Sequence, residues 1–164
     1  MRNVLLLLLC ILLSLSDIVA AEEKQSKPSS LPIEITAQQL DADRPARKAT
    51  FSGEVIAKQG DITLYSDKLV VYSLPEDDQI DRLEAFGNVR VLQLDRTAVA
   101  DRAIYRQVEG KLVLYGNAEV HQGQNQVTGD EIVVYLQENR SIVKSGENGR
   151  VKAVLFPKKE QEPE

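Results

Sequence analysis

Apolar and polar residues alternate with a period of two at the start of the expected β domain, which is the pattern of a half-buried β-strand. Residues 31–37 show the pattern first, with Ile33 and Ile35 on the same phase. Residues 40–48 carry two aspartates and a proline, and they predict a turn before the next strand. Outside the first residues no window has a convincing period of 3.6. The sequence therefore predicts an all-β protein of roughly a dozen or more short antiparallel strands.

One sequence unit recurs at a spacing of roughly 30 residues, which is typical of stacked β repeats. Each unit contains an aromatic residue, a glycine, a strand, a second turn, and then a small residue, an aspartate, a charged residue and an apolar run ending in tyrosine. The units begin at Phe51, Phe86 and Tyr115. Their shared glycine is Gly53, Gly87 and Gly116 in turn. A glycine at the same place in each unit indicates a positive φ angle or a bulge.

The first residues have the pattern of a secretory signal peptide. Arg2 gives a positive start, residues 4–15 are apolar, and small residues at 19–21 mark an expected cleavage after Ala21, with Ala20 as the alternative. A retained membrane anchor is the alternative, although the apolar run is short for a span of about 20 residues. The expected divisions are a cleaved signal peptide over 1–21, a flexible leader over 22–30, the β domain over 31–157 and a charged tail over 158–164.

Composition narrows the classes of ligand and partner. The net charge is −5 and the sequence has no basic stripe, so nucleic acid is not an expected partner, because phosphate neutralisation needs clustered lysine and arginine. The only cysteine, Cys10, lies in the apolar leader, so the mature domain should have neither disulfide nor cysteine-ligated metal. Hydrophobic residues make up 43% of the chain and aromatic residues 5%, which suits a fluid aliphatic ligand better than a ring-stacking one.

Few side chains are candidates for catalysis or metal binding. The only histidine, His121, has no cysteine or second histidine with which to share a metal, so a surface position is expected. The aspartate of each unit falls at the same phase, and stacking would place Asp67, Asp101 and Asp130 in a row. A carboxylate row could bind Ca²⁺ or cleave a glycan, but an Asx-type bond to the turn backbone is more economical. The sequence therefore predicts no catalytic residue, no metal site, no cofactor and no enzyme activity.

The strands of the repeats are apolar on both phases, which is unusual for a sheet with one solvated face. One phase contains Ile33, Ile35, Leu69, Val71, Ala103, Tyr105, Ile132 and Val134. The opposite phase is apolar at Val70, Ile104 and Val133. Either both faces are covered or one face is reserved for a ligand, and an ordinary packed core stays open as the alternative.

The chain resembles the OstA-like family of lipopolysaccharide-transport proteins from about residue 31 to residue 156. The resemblance is carried by PIEI at 32–35, FSGEVIAKQG at 51–60, SDKLVV at 66–71, LYGNAEV at 114–120 and GRVKAVLFP at 149–157. It implies an antiparallel β-jellyroll of stacked hairpins, open along one side, with a lengthwise apolar groove. In that family the groove holds the acyl chains of lipid A while the sugars stay in water, and protomers join end to end by strand pairing.

The resemblance also implies site residues and partners. Ile33, Ile35 and Tyr105 match lipid-contacting positions, whereas Gln107 stands where a relative has an apolar residue. The docking edges would be the first strand, at Ile33 and Ile35, and the last strand, at Val151 and Val154. The implied partners are lipopolysaccharide, inner-membrane LptC-type and outer-membrane LptD-type proteins and further copies of the chain, joined in a periplasmic bridge. A membrane-anchored LptC-type component, a solid β-solenoid scaffold and a glycan-cleaving enzyme stay open as rivals.

Overall fold

The computed structural model describes residues 31–76, 79–138, 140–146 and 149–157. The predicted signal peptide, leader and charged tail lie outside these residues, and no helix within them is long and apolar enough to cross a membrane. The strands are β1 (Glu34–Thr36), β2 (Gln39–Asp43), β3 (Lys48–Gln59), β4 (Ile62–Ser73), β5 (Ile80–Gln93), β6 (Arg96–Arg106), β7 (Lys111–Gln122), β8 (Asn125–Tyr135), β9 (Arg140–Lys144) and β10 (Lys152–Val154).

The strands form one antiparallel sheet in nearly sequential order. Its path is β1-β3-β4-β5-β6-β7-β8-β10, with β2 also paired to β3 and β9 also paired to β8. The six central strands, β3 to β8, have 11 to 14 residues each. Short hairpin turns at glycines predicted to turn the chain join β3 to β4, between Gln59 and Ile62, and β7 to β8, between Gln122 and Asn125. The all-β prediction is confirmed.

A bulge interrupts these long strands wherever the sequence repeats its glycine. Gly53, Gly87 and Gly116 have φ angles of 81°, 73° and 72°. The residue after each glycine also has a positive φ angle, and the strand register shifts at the same places. The predicted positive φ angles are confirmed. The prediction of a dozen or more short strands is wrong, because a bulge bends a strand without ending it.

The bulges lie side by side across the sheet and divide it into two halves. The first layer contains 55–59, 62–66, 89–93, 96–100, 118–122 and 125–129, with β1 and β10 at its edges. The second layer contains 48–52, 68–73, 80–86, 102–106, 111–115 and 131–135, with β2 and β9 at its edges. We call the line of bulges the spine and the opposite side, where the hairpin turns lie, the mouth.

The edge strands differ most from the sequence-based expectation. Residues 39–43, within the segment predicted mostly as a turn, form β2, and the turn is confined to 44–47. The predicted first and last strands shrink to the three residues of β1 and of β10. An edge strand pairs on one side only, so its length depends on its single neighbour, which local patterning does not identify.

The core lies between the two layers and is tightest beside the spine. The largest fully buried side chains, all less than 2% exposed, are Leu69, Leu114, Ile132, Val55 and Val89. Buried alanines at 85, 100, 103 and 118 accompany them. Toward the mouth the inward side chains, such as Leu83 and Leu112, are only half-buried. Fully buried residues at the spine and half-buried residues at the mouth are what two layers require when they meet on one side and separate on the other.

The apolar residues on the opposite phase lie on the outer face of the second layer. Val70, Val113 and Val133 are only 5%, 6% and 5% exposed, although they alternate with the core residues. Long neighbouring side chains cover this face: Arg82 lies 3.7 Å from the ring centroid of Tyr72, and Arg140 lies 4.3 Å from that of Tyr135. The sequence left open whether these residues are covered or form a face reserved for a ligand. On this phase they are covered by neighbouring side chains of the protein itself.

The strand register assembles a basic row on that face, which the linear sequence does not contain. The row runs through Lys48, Tyr72, Arg82, Arg106, Lys111, Tyr135 and Arg140. Three of its arginines pair with carboxylates: Arg82 with Asp81 and Glu84, Arg106 with Glu109, and Arg140 with Glu138. The row is therefore partly neutralised by its own neighbours.

Candidate functional site

An apolar groove opens between the two layers at the mouth, with a cavity of about 220 Å³. Its floor is aliphatic and includes Leu64, Leu69, Leu83, Ala85, Val91 and Leu112. These side chains come from β4, β5 and β7, and β3 and β6 supply further lining residues. Because neighbouring strands are about 4.8 Å apart, five consecutive strands carry the groove roughly 20 Å across the sheet.

The structure brings together five of the eight residues that the sequence placed at the groove. Ile33, Ile35, Leu69, Ala103 and Tyr105 line the cavity. The other three are absent from its lining. Ile132 is 2% exposed within the core, and Val71 and Val134 are half-buried against it. The predicted phase is therefore the inward phase, but it includes core residues as well as groove residues.

Strand pairing explains why these side chains share one surface, because directly opposed residues point to the same face. Tyr105 is paired with Leu83 on one side and with Leu112 on the other. In the first layer Ile35 is paired with Ala57, which is in turn paired with Leu64. Each row thus crosses several strands on the inside of the groove.

Sequence reasoning missed the groove residues on β5 and β7, including Leu83, Val91 and Leu112. The hairpin turn around Gly110 contained a usable signal for one of them. Counting outward from that turn pairs Arg106 with Lys111 and Tyr105 with Leu112. A register derived from each turn would have carried the predicted phase from β6 into β7.

The rim of the groove is polar but carries little charge. Gln59, Gln93 and Gln107 line it from both layers. Gln59 donates a hydrogen bond to the backbone carbonyl of Leu31 at 2.9 Å, and Gln93 donates to Asp61 Oδ2 at 3.4 Å. Below this rim, burial raises the pKa of Tyr105.

The repeated aspartates stabilise the spine. Asn88 Nδ2 donates to Asp67 Oδ2 at 2.9 Å, and Asn117 Nδ2 donates to Asp101 Oδ2 at the same distance. Asp130 accepts a hydrogen bond from the backbone N–H of Gly146. The predicted structural role is confirmed, although two of the three partners are side chains of bulge residues on the neighbouring strand and not the turn backbone.

The other candidate for chemistry, His121, lies half-buried on the outer phase of β7, where Nε2 contacts a carboxylate oxygen of Glu119. Across the described ranges no group of three or more histidine, cysteine, aspartate or glutamate side chains is arranged to hold a metal ion.

Two edges remain at opposite ends of the sheet. At the amino-terminal edge, Ile35 lies in β1 and Ile33 immediately precedes that strand. At the carboxy-terminal edge Val154 lies half-buried in β10, whereas Val151 precedes this strand and is 43% exposed. Among the described residues each edge strand is paired on one side only.

The two edges carry opposite charges. Glu34, Asp41 and Asp43 lie on β1 and β2 at the amino-terminal edge. Arg140, Lys144 and Lys152 lie on β9 and β10 at the carboxy-terminal edge. All six residues are on the outer phase, as the pairing of Asp43 with Lys48 and of Arg140 with Tyr135 illustrates.

Comparisons with known proteins agree on one family. The sequence model described as "LptA/(LptD N-terminal domain) LPS transport protein" matches residues 34–140. Lipopolysaccharide export system protein LptA of Escherichia coli K12 is 28% identical over 137 residues, which cover 80% of this chain and 74% of that protein, and LptA of Shigella flexneri gives the same values.

A solved structure shares the fold. LptH, the LptA-homologous periplasmic component of the lipopolysaccharide transport device of Pseudomonas aeruginosa, is similar with a TM-score of 0.70 and 21% identity. The match covers 79% of this chain and 100% of LptH. The fold is therefore the open, LptA-like β-jellyroll that the sequence predicted.

Proposed function

Because the chain belongs to the LptA/(LptD N-terminal domain) family of lipopolysaccharide-transport proteins, we propose that it binds lipopolysaccharide in the groove and shields the acyl chains of lipid A. The aliphatic cavity between the layers carries this proposal. Each exposed CH₂ group costs roughly 0.8 kcal/mol in water. A groove that covers several chains removes this barrier to crossing an aqueous compartment without any catalytic step.

Photo-cross-linking tests the lipid site. A photoreactive amino acid at Val91, which lines the cavity, should yield a lipopolysaccharide adduct in cells that make lipopolysaccharide. The same photoreactive amino acid in place of Arg90, which is the exposed neighbour of Val91 on the outer phase of β5, should yield no adduct. Ile35, on the edge strand β1 of the same layer, offers a second probe position in the groove. Equal labelling at Val91 and Arg90, or no adduct at either groove position in a folded and exported protein, would contradict the proposal.

Copies of this chain associate end to end in the proposed bridge, with β9 and β10 of one copy beside β2 and β1 of the next. The sheet geometry permits this continuation. Five successive antiparallel pairings separate β3 from β8. Since β2 and β9 are each antiparallel to their neighbours, β9 of one copy and β2 of the next meet as an antiparallel pair, which is the commonest strand arrangement.

The charges and the apolar surface of the two edges support the same pairing of β9 with β2, which we call the joint between copies. If the cross-strand rows continue without a register shift, Asp43 of one copy faces Arg140 of the next on the outer face. On the inner face Leu40, which is 58% exposed, then lies beside Val143. The joint would therefore pair opposite charges outside and extend the apolar interior from one copy to the next.

A charge-reversal experiment tests the joint. Arg140→Asp should weaken self-association, because it places two carboxylates opposite each other, and adding Asp43→Arg should restore it. Arg90→Asp, which lies away from both edges, is the matched control. Sedimentation velocity over a concentration series measures the oligomer distribution. If Arg140→Asp associates as the parent does, the proposed pairing of β9 with β2 is wrong.

We place the protein in the periplasm, joined to an inner-membrane LptC-type and an outer-membrane LptD-type protein through the same two edges. Support comes from the expected signal peptide over 1–21 and from LptH, which is described as a periplasmic component. Amino-terminal sequencing of the exported protein should begin at Glu22. An uncleaved amino terminus would favour the membrane-anchored LptC-type alternative.

A further inference from the structure

Two polar side chains interrupt the aliphatic surface of the groove at its mouth. Tyr105 is the penultimate residue of β6, and Gln107 follows that strand directly, so the two lie two positions apart on the same face. Both line the cavity. Tyr105 stands between Leu83 and Leu112 in its cross-strand row, so its immediate neighbours in that row are aliphatic.

Neither side chain has a hydrogen-bond partner within the described part of the chain, in contrast to the other two glutamines of the rim. Gln59 is bonded to the backbone of Leu31 and Gln93 to Asp61. The backbone N–H of Gln107 is satisfied by the carbonyl of Asp81, so its side-chain amide remains available. A half-buried polar group in apolar surroundings gains free energy when a bound molecule supplies its missing partner.

The depth of this pair in the groove indicates which part of a ligand it meets. Below Tyr105 the next inward residue of β6 is Ala103, which is 3% exposed and paired with the buried Ala85. Above Tyr105 the chain turns at the mouth. An amphiphile whose chains occupy the aliphatic floor would therefore present the join between chain and head group at the level of Tyr105 and Gln107.

We propose that Tyr105 and Gln107 hydrogen-bond the ester or amide carbonyl that joins an acyl chain to its sugar, so that the groove prefers acylated saccharides to saccharides carrying a plain alkyl chain. This inference rests on the proposed function and names a specificity determinant within the same groove. A tyrosine hydroxyl carries its proton at neutral pH, and burial raises the pKa of Tyr105 further, so the hydroxyl can act as a donor.

A matched pair of lipids tests the preference. The ester 6-O-tetradecanoyl glucose and the ether 6-O-tetradecyl glucose are joined at the same sugar oxygen and differ only in the carbonyl group. Binding is measured by calorimetry below the concentration at which either lipid forms micelles. The parent protein should bind the ester about threefold to tenfold more tightly, which is the range expected for one or two neutral hydrogen bonds.

The variants separate hydrogen bonding from packing. Tyr105→Phe should reduce the ester-to-ether preference while leaving the affinity for the ether unchanged, because the ring is retained. Gln107→Leu should reduce the preference as well and strengthen binding of the ether. Tyr115→Phe, on the outer face of the second layer, should change neither affinity.

The possible failures of the two proposals are distinguishable. Equal binding of ester and ether by the parent protein would overturn this inference and leave the lipid groove intact. A Tyr105→Phe variant that loses affinity for both lipids to the same extent would do the same, since it would assign the tyrosine to packing alone. If neither lipid binds and lipopolysaccharide does not bind either, the proposed function fails together with the inference.

Discussion

The spine and the mouth are made from the same six long strands, yet their side chains differ in burial. At the spine, the glycine bulges have φ angles above 70°, two of the three are held by aspartate–asparagine hydrogen bonds, and the flanking aliphatic residues are fully buried. At the mouth, Leu83 and Leu112 are half-buried, and Tyr105 and Gln107 line an open cavity. The spine holds the two layers together, and the mouth keeps them apart.

This difference separates stability from ligand binding along each strand. A side chain beside the spine has its contacts within the protein, so its replacement should affect the free energy of unfolding. A side chain at the mouth borders the cavity, so its replacement should affect a ligand more than the fold. Matched substitutions at the two ends of the strands can break or sharpen this division.

The largest difference in the free energy of unfolding is expected between alanine substitutions of two leucines in β7. Leu114→Ala, at a residue 1% exposed, should lower the free energy of unfolding by about 2–5 kcal/mol through lost burial and a residual cavity. Leu112→Ala, at the mouth, should lower it by only about 1 kcal/mol but weaken lipid binding. Urea denaturation and lipid titration of both variants measure the two effects. Equal destabilisation by the two substitutions would remove the distinction between spine and mouth.

Two glycines that both have positive φ angles give the next contrast. At Gly116 an added Cβ would lie 2.4 Å from Asp101 Oδ2, whereas at Gly123, in the β7–β8 turn, it would meet nothing within 4 Å. Gly123→Ala should therefore cost only the backbone penalty, about 1 kcal/mol. Gly116→Ala should cost about 2–3 kcal/mol, because it also displaces the carboxylate from Asn117. Thermal unfolding of both variants tests this, and a Gly116→Ala protein as stable as Gly123→Ala would show that the bulge tolerates a side chain.

The smallest expected difference is between two glutamates, Glu84 and Glu109, in how much each contributes to the loss of stability at low pH. Glu84, beside the spine on the outer face, accepts hydrogen bonds from Arg82 at 2.8 Å and Arg102 at 2.9 Å. Partial burial favours its neutral form, but these two hydrogen bonds and the charges of both arginines outweigh that cause and lower the pKa of Glu84. Its stabilising contribution is therefore present above the usual glutamate pKa of about 4.3 and is lost as the pH falls through the lower folded value.

Glu84→Gln should consequently reduce the loss of stability between neutral pH and pH values below the usual glutamate range. Glu109→Gln is the control at the mouth, where the pair with Arg106 is exposed and 3.7 Å long and should contribute little. Denaturation midpoints over a pH series compare the two variants. An unchanged acid profile for Glu84→Gln would mean that the arginine network does not stabilise the spine.

Much of the fold could be predicted because its signals are local. Gly53, Gly87 and Gly116 repeat at a fixed place, and the apolar run from Leu69 to Tyr72 within the repeat identifies a strand. The same signals could not distinguish a bulge from a turn, because both need a residue that accepts a positive φ angle. Nor could they show which inward residues line a cavity: Ile132 and Tyr105 have the same phase, but one is in the core and the other at the mouth.

The sequence by itself determined the all-β class, the order of the hairpins and the inward phase of β1, β4, β6 and β8, because these depend on backbone propensity and a period of two. Only the tertiary structure decided that the bulges align into one spine, that the two layers diverge toward an open groove, and that residues from separate strands form rows such as Leu83, Tyr105 and Leu112. These features depend on register between strands distant in sequence. Register is set by long-range pairing and packing, which a local pattern does not contain.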